Sequence, residues 1–140
     1  GSSISVTDRS SHIAADENDN LFGFAMAIVG DVNGDGRDDL LVGAPGAKAR
    51  GTETGAAFLF HGHATNFATG ASRLQTVANA TYTGTSARDL AGSAVTGLGD
   101  VDSDGYAEFA ISAPKNSDHR SSSGAIYVML EPDLRIVGSL

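Results

Sequence analysis

The chain has no cysteine, so it can form no disulfide staple and offers no thiolate as nucleophile or soft metal ligand. Basic residues are scarce too: nine Lys and Arg stand against 17 Asp and Glu, a formal net charge of −8. Such a surface repels phosphate backbones and anionic membranes and favours cations, so nucleic acid is not an expected partner. Long apolar runs are also missing. The longest, Phe22 to Val29, falls far short of the ~20 residues that cross a bilayer as a helix, so no membrane insertion is expected. No basic-then-apolar leader opens the chain, and its Gly1-Ser2-Ser3 start reads as a cloning remnant. Strong helix formers are scattered, and no segment sustains a helical period.

What remains is 140 residues with 41% hydrophobic content and 18 glycines. That is enough for one modest domain built of short strands between Gly, Asn, Asp and Ser clusters. An internal repeat organises it. At an offset of 69 residues, Gly30-Asp31-Val32 falls on Gly99-Asp100-Val101, Asp35-Gly36 on Asp104-Gly105, Ala44-Pro45 on Ala113-Pro114, and Gly55-Ala56 on Gly124-Ala125. Residues 1–69 and 70–138 are therefore expected as two repeats of a single unit.

Each repeat reads as four strands. In the first these are Gly23 to Val29, Leu40 to Val42, Gly55 to Phe60 and Leu74 to Thr83, with the equivalent of the last, Ile4 to Ile13, lying ahead of the repeat. A short, wholly apolar strand such as Leu40-Leu41-Val42 is expected where both faces of a sheet are covered. The fold class expected is thus all-β, with two four-stranded units stacked as β-propeller blades.

Between the first and second strands of each unit lies an acidic turn. Oxygens fall at positions 1, 3, 5, 7 and 9, supplied in the first loop by Asp31, Asn33, Asp35, the Arg37 carbonyl and Asp39. In the second they come from Asp100, Asp102, Asp104, the Tyr106 carbonyl and Glu108. Calcium takes six to eight hard oxygen ligands at about 2.3–2.6 Å, and a glycine at position 6, here Gly36 or Gly105, lets the turn close. Ordinary turn chemistry also favours Asp, Asn and Gly. It does not require ligand spacing to persist in two loops while neighbours change, as in Gly34 to Ser103 and Asp39 to Glu108. An EF-hand is excluded because position 12, which must be a bidentate acid there, is Val42 or Ile111.

The series Phe22-Gly23, Gly30-Asp31-Val32-Asn33-Gly34-Asp35-Gly36, Asp39-Leu40-Leu41-Val42-Gly43-Ala44-Pro45 and Gly55-Ala56-Ala57-Phe58-Leu59-Phe60 resembles the FG-GAP repeat of integrin α-chain β-propellers and related extracellular proteins. The second copy departs from it at Ala91-Gly92 and Ser112-Ala113-Pro114. The resemblance implies one Ca²⁺ per loop, two per chain, and a secreted or cell-surface home. It also implies a non-catalytic adhesion or recognition role, with a protein or glycan ligand on the face opposite the metal. The opposite-face segments are Gly46 to Thr54, Lys115 to Ser123, Asp16 to Asn20 and Thr85 to Asp89, which carry Lys48, Arg50, Arg88, Lys115 and Arg120. An accessory propeller portion of a secreted hydrolase, or a self-assembling fragment with no ligand of its own, is the alternative.

The resemblance implies a propeller that closes with seven blades, and this chain holds material for two. The chain opens on a fourth strand and closes after a third, Ile126 to Leu130. Three or four copies exchanging that strand head to tail would complete a homo-oligomer; a longer parent chain would do the same. Catalytic readings are weak. Ser112-Ala113-Pro114-Lys115 fits a Ser-x-x-Lys pattern, but its counterpart Gly43-Ala44-Pro45-Gly46 marks it as a strand end. His61-Gly62-His63 lacks a third ligand, and Asn79-Ala80-Thr81 is a glycosylation sequon.

Overall fold

Left-handed turns at glycine alternate with β-branched and aromatic runs, and together they cut the chain into short strands. The computed structural model describes residues 11–15, 19–49, 52–62, 70–73, 78–117 and 123–130. These form β1 Ser11–Ala14, β2 Asp19–Asn20, β3 Ala25–Gly30, β4 Asp39–Ala44, β5 Gly46–Ala49 and β6 Thr52–Glu53. The remaining strands are β7 Ala56–Phe60, β8 Gly70–Arg73, β9 Ala80–Thr83, β10 Val95–Gly99, β11 Glu108–Ala113 and β12 Ala125–Met129. Among the described residues there is no helix, and hence none long and apolar enough to cross a membrane.

The first blade is the antiparallel sheet β3-β4-β7-β9 and the second is β10-β11-β12. The repeat is visible in the backbone itself. Leu21 and Leu90, 69 residues apart, both adopt a left-handed conformation (φ 64° and 56°) that is uncommon outside glycine. In each blade the first strand also breaks register just before the acidic loop, between Ile28 and Gly30 and between Gly97 and Gly99. Such a bulge re-aims the chain at the point where the loop must begin.

The two sheets stack face to face. Alternation along the strands puts Leu41, Leu59, Ala57 and Val29 of the first blade against Phe109 and Ile111 of the second, with Tyr82 edge-on to Phe109 at 5.5 Å. Burial pushes the Tyr82 phenol up to about 12. Each large aliphatic side chain buried at this joint, and Phe109, contributes roughly 1.5–3 kcal/mol by leaving water. Backbone approaches backbone closely here: a Cβ on Gly43 would sit 2.0 Å from the Gly92 carbonyl oxygen. Gly55 also bridges Ala91 directly. The side chain of Ala91 is fully buried. Its counterpart Phe22 instead packs edge-on against Phe58 and Phe60 on the opposite face of the first blade.

The first three strands of the first blade fall where the sequence places them, within a residue or two; the fourth, expected from Leu74, begins at Ala80, with Ala78 and Asn79 outside it. Its fourth strand is described over Ala80–Thr83, and Leu74 to Val77 lies outside the described residues. Of the leading strand, Ser11–Ala14 is described, and it pairs in parallel with Gly70–Arg73 of the same chain. One expectation is corrected: Gly46 to Thr54 is not an open loop. It folds as the hairpin β5-β6, with β2 added at the edge, because Ala47 turns inward onto the cluster of Val42, Ala44, Phe58 and Phe60.

Candidate metal centres

Both acidic loops are built on one scaffold. The carboxylate at position 1 closes the turn: Asp31 accepts the N–H groups of Gly34, Asp35 and Gly36 at 2.7–3.0 Å. Asp100 likewise accepts those of Asp104 and Gly105 at 3.1 and 3.0 Å. The oxygen at position 3, on Asn33 or Asp102, accepts the N–H of position 5. The carboxylate at position 5 accepts the N–H of position 7, Asp35 from Arg37 at 3.0 Å and Asp104 from Tyr106 at 2.8 Å. Each turn thus fixes the peptide that follows. Gly36 and Gly105 supply the left-handed step (φ +83° and +94°) that this wrapping needs.

Position 9 lies on the second strand and is buried in both loops. Glu108 Oε2 accepts Val101 N–H at 2.6 Å, and Asp39 Oδ2 accepts the equivalent Val32 N–H at 3.0 Å. Asp39 Oδ1 takes a further bond from Gly62 N–H at 2.7 Å, so one carboxylate ties the loop to the end of β7. Burial raises the Asp39 pKa above its ordinary 3.8 and the nearby Asp35 charge adds to this, while Gly62 N–H, Val32 N–H and His61 oppose it.

The loops differ in how far their acids converge. Asp100, Asp102, Asp104 and Glu108 each present an oxygen within 4.8 Å of all the others. Asp31, Asp35 and Asp39 are not drawn that close. Loop one is also the less acidic, with Asn33 in place of a carboxylate and Arg37 Nη1 lying 3.7 Å from Asp35 Oδ2. That pair is exposed and contributes little stability by itself, yet it holds a competing cation beside the loop.

Sequence reasoning missed that the loops touch. Stacking of the blades brings Ala107 N–H onto the Asp31 carbonyl at 2.9 Å. It also lays the Tyr106 ring over Gly34, where a Cβ would lie 2.6 Å from a ring carbon. Position 7 of the second loop therefore supports the floor of the first. No signal in one repeat could have revealed this, because it depends on how two repeats pack.

The opposite face is less open than expected. Asp89, assigned to an exposed link, is buried, with Oδ2 accepting from Thr85 Oγ1, Ser86 N–H and Asn116 Nδ2 at 3.2, 2.8 and 3.3 Å. Its Oδ1 is buried without a hydrogen-bond partner among the described residues. Lys48, Arg88 and Lys115 are exposed, while Arg50 and Arg120 fall outside the described residues. Ser112 Oγ accepts Ala94 N–H at 2.9 Å from within β11, the strand-end role its register implies. His61 Nε2 is buried without a partner among the described residues, and His63 lies outside them. The sequon residue Asn79 uses its side-chain oxygen to accept His61 N–H.

A four-stranded and a three-stranded antiparallel sheet, stacked face to face and each carrying an acidic turn between its first two strands, define a pair of β-propeller blades whose sheets stay open. The chain belongs to the FG-GAP repeat family, which matches residues 22–60 and 91–129, the same 69-residue offset. It is similar to integrin alpha-IIb of Homo sapiens, 40% identical over 114 residues that make up 78% of this chain and 10% of that protein. Integrin alpha-IIb of Mus musculus is 38% identical over the same share of both chains. Integrin alpha-8 of Gallus gallus is 34% identical over 111 residues, 76% of this chain and 10% of that protein. The chain spans about a tenth of the length of these curated relatives.

Proposed function

We propose that this chain is a calcium-stabilised, non-catalytic recognition module of the extracellular adhesion type, binding one Ca²⁺ in each acidic loop. The observation that carries this reading is the convergence of Asp100, Asp102, Asp104 and Glu108 within 4.8 Å on a turn whose scaffold loop one repeats. The donor set is all oxygen, with no thiolate in the chain and no histidine within either loop, which fits a hard cation and not zinc or copper. Asp31, Asn33, Asp35, Asp39 and the Arg37 carbonyl would hold the first ion. Asp100, Asp102, Asp104, Glu108 and the Tyr106 carbonyl would hold the second.

The cation's contribution is electrostatic, cancelling charge that three or four crowded carboxylates otherwise direct at one another. The chain's own residues do the rest. Positions 1, 3 and 5 wrap the turn, and position 9 joins it to the buried second strand, so filling the loop pins two strands of the blade together. Seven of the 17 acids sit at ligand positions, and two divalent ions would bring the formal charge from −8 to −4. Loops of this kind suit affinities of roughly 10⁻⁴ to 10⁻³ M, which extracellular calcium fills. On the face away from the metals, Lys48, Arg88 and Lys115 offer contacts to a protein or glycan ligand. Further copies of the chain, three or four in all, would complete the ring.

Calorimetric titration of calcium into the chelator-stripped chain tests the assignment. Two ions should bind, and Asp35→Ala and Asp104→Ala should each remove one. Unchanged stoichiometry in either variant would refute the site in that loop.

A further inference from the structure

Each blade buries one face in the internal joint and leaves large apolar side chains exposed on the other. On the first blade's outer face Met26 and Ile28 of β3 are 67% and 59% exposed, while Val42, Phe58 and Phe60 beside them are already buried with Phe22 and Ala47 of the same chain. The second blade's outer face shows Ile126 and Val128, 72% and 47% exposed, beside Ala110 and Thr96. Exposed apolar residues grouped on one sheet face mark an interaction surface more often than scattered ones do.

The repeat register says what each face fits. Adding 69 to the outer-face positions 26, 40, 42, 58 and 60 of the first blade gives Val95, Phe109, Ile111, Tyr127 and Met129. Those belong to the face with which the second blade packs on the first. Conversely, the second blade's outer Ile126, Val128, Ala110 and Leu98 are the counterparts of Ala57, Leu59, Leu41 and Val29, the first blade's half of the internal joint. The two outer faces are thus, by register, the two halves of an interface the molecule already makes once within itself, and their exposed residues Met26, Ile28, Ile126 and Val128 are free to make it again.

We propose that a second copy of this chain docks its first blade's outer face onto the second blade's outer face, repeating the internal joint between molecules. The contact is heterologous, so it propagates head to tail and either closes into a ring or extends. It rests on the self-association described under the proposed function but assigns it to stacked sheet faces, not to strand exchange.

Two positions make the intermolecular joint wider than the internal one. Internally, Gly97 admits Val29, whose Cα would lie 2.8 Å from a Cβ on that glycine, and Gly43 admits the Gly92 carbonyl. Between copies the corresponding residues are Ile28 and Ser112, whose side chains hold the sheets further apart. The intermolecular joint is therefore the weaker, and the assembly dissociates on dilution. The formal charge of −8 opposes it at low salt, so calcium and added salt both strengthen it.

Light scattering on the full chain in calcium, over a range of concentrations, tests the proposal using Met26→Lys and Ile126→Lys. Both positions are exposed, and circular dichroism with calcium titration checks that each variant keeps its fold and its loops. The wild type should gain mass with concentration, and each variant alone should stay monomeric. An equimolar mixture of the two should give a mass of two chains, because one variant keeps an intact first-blade face and the other an intact second-blade face. If both variants retain the wild-type mass, self-association stands and the stacked-face joint is overturned. A wild type that is monomeric throughout overturns both. Variants that stay monomeric when mixed, beside an associating wild type, overturn the head-to-tail arrangement.

Discussion

Asp39→Asn separates what the loop does for the fold from what it does for a cation. The carboxylate accepts Gly62 N–H at 2.7 Å and Val32 N–H at 3.0 Å, one on each oxygen, and is fully buried. Asparagine offers a single oxygen, so one of these N–H groups must face an amide NH₂. A bond to a charged acceptor contributes about 1.5–3 kcal/mol, and a buried donor left unmet costs about 1–3 kcal/mol. Working against this, the amide has no charge to bury, and burial is the largest influence raising the Asp39 pKa. The net expected loss is about 1–3 kcal/mol, or about 3–10 °C in Tm for a chain of this size. Thermal unfolding followed by circular dichroism in chelator measures it. An unchanged or raised Tm would refute the argument.

The same residue gives a pH dependence of defined sign. Its pKa in the folded chain is raised above 3.8, so between that value and the raised one the folded chain binds more protons than the unfolded chain. Stability contributed by this group is then greatest at low pH and falls as pH climbs through the window. In chelator, wild type should lose stability relative to Asp39→Asn as pH rises. In calcium the sense should reverse, because a ligating carboxylate must be ionised.

Further outcomes follow from the joint and the loops. Gly43→Ala drives a methyl group onto the Gly92 carbonyl oxygen, which as backbone has little room to yield. A loss of about 3 kcal/mol is expected from such overpacking, read from the denaturant midpoint, and a loss under about 1 kcal/mol would mean the blades are not so closely joined. Tyr106→Ala keeps the position-7 carbonyl but removes the ring that covers Gly34. With the second site disabled by Asp104→Ala, calorimetry should show calcium affinity at loop one falling roughly 3–10-fold, equivalent to about 0.7–1.4 kcal/mol. Gly34→Ala, which meets that ring and carries φ +75°, should lower Tm by several degrees, by roughly 1–2 kcal/mol of strain.

The repeat and its strands were legible because they are local. The apolar run Phe22 to Val29, the run Leu40-Leu41-Val42 and the glycine punctuation each act over a few residues, and the 69-residue offset doubled every signal. Spacing likewise named the loop residues. The hairpin Gly46–Glu53 was not legible, since Gly, Ala and Lys are weak strand formers and Ala47 is held by tertiary packing. Nor was the burial of Asp89, whose partner Asn116 lies 27 residues away. The second donor to Asp39, Gly62, comes from beyond the third strand, 23 residues on. The contact of Tyr106 with Gly34 depends on stacking between repeats, which no single-repeat pattern encodes.

The account stands most directly on the cation in the loops. Crystals grown in calcium, with diffraction recorded at a wavelength where calcium scatters anomalously, would locate every bound ion. The account predicts two peaks per chain. One would lie at about 2.3–2.6 Å from oxygens of Asp100, Asp102, Asp104 and Glu108, and the other among Asp31, Asn33, Asp35 and Asp39. Loops that show no peak in such crystals, with their carboxylates still bonded only to their own backbone, would contradict it.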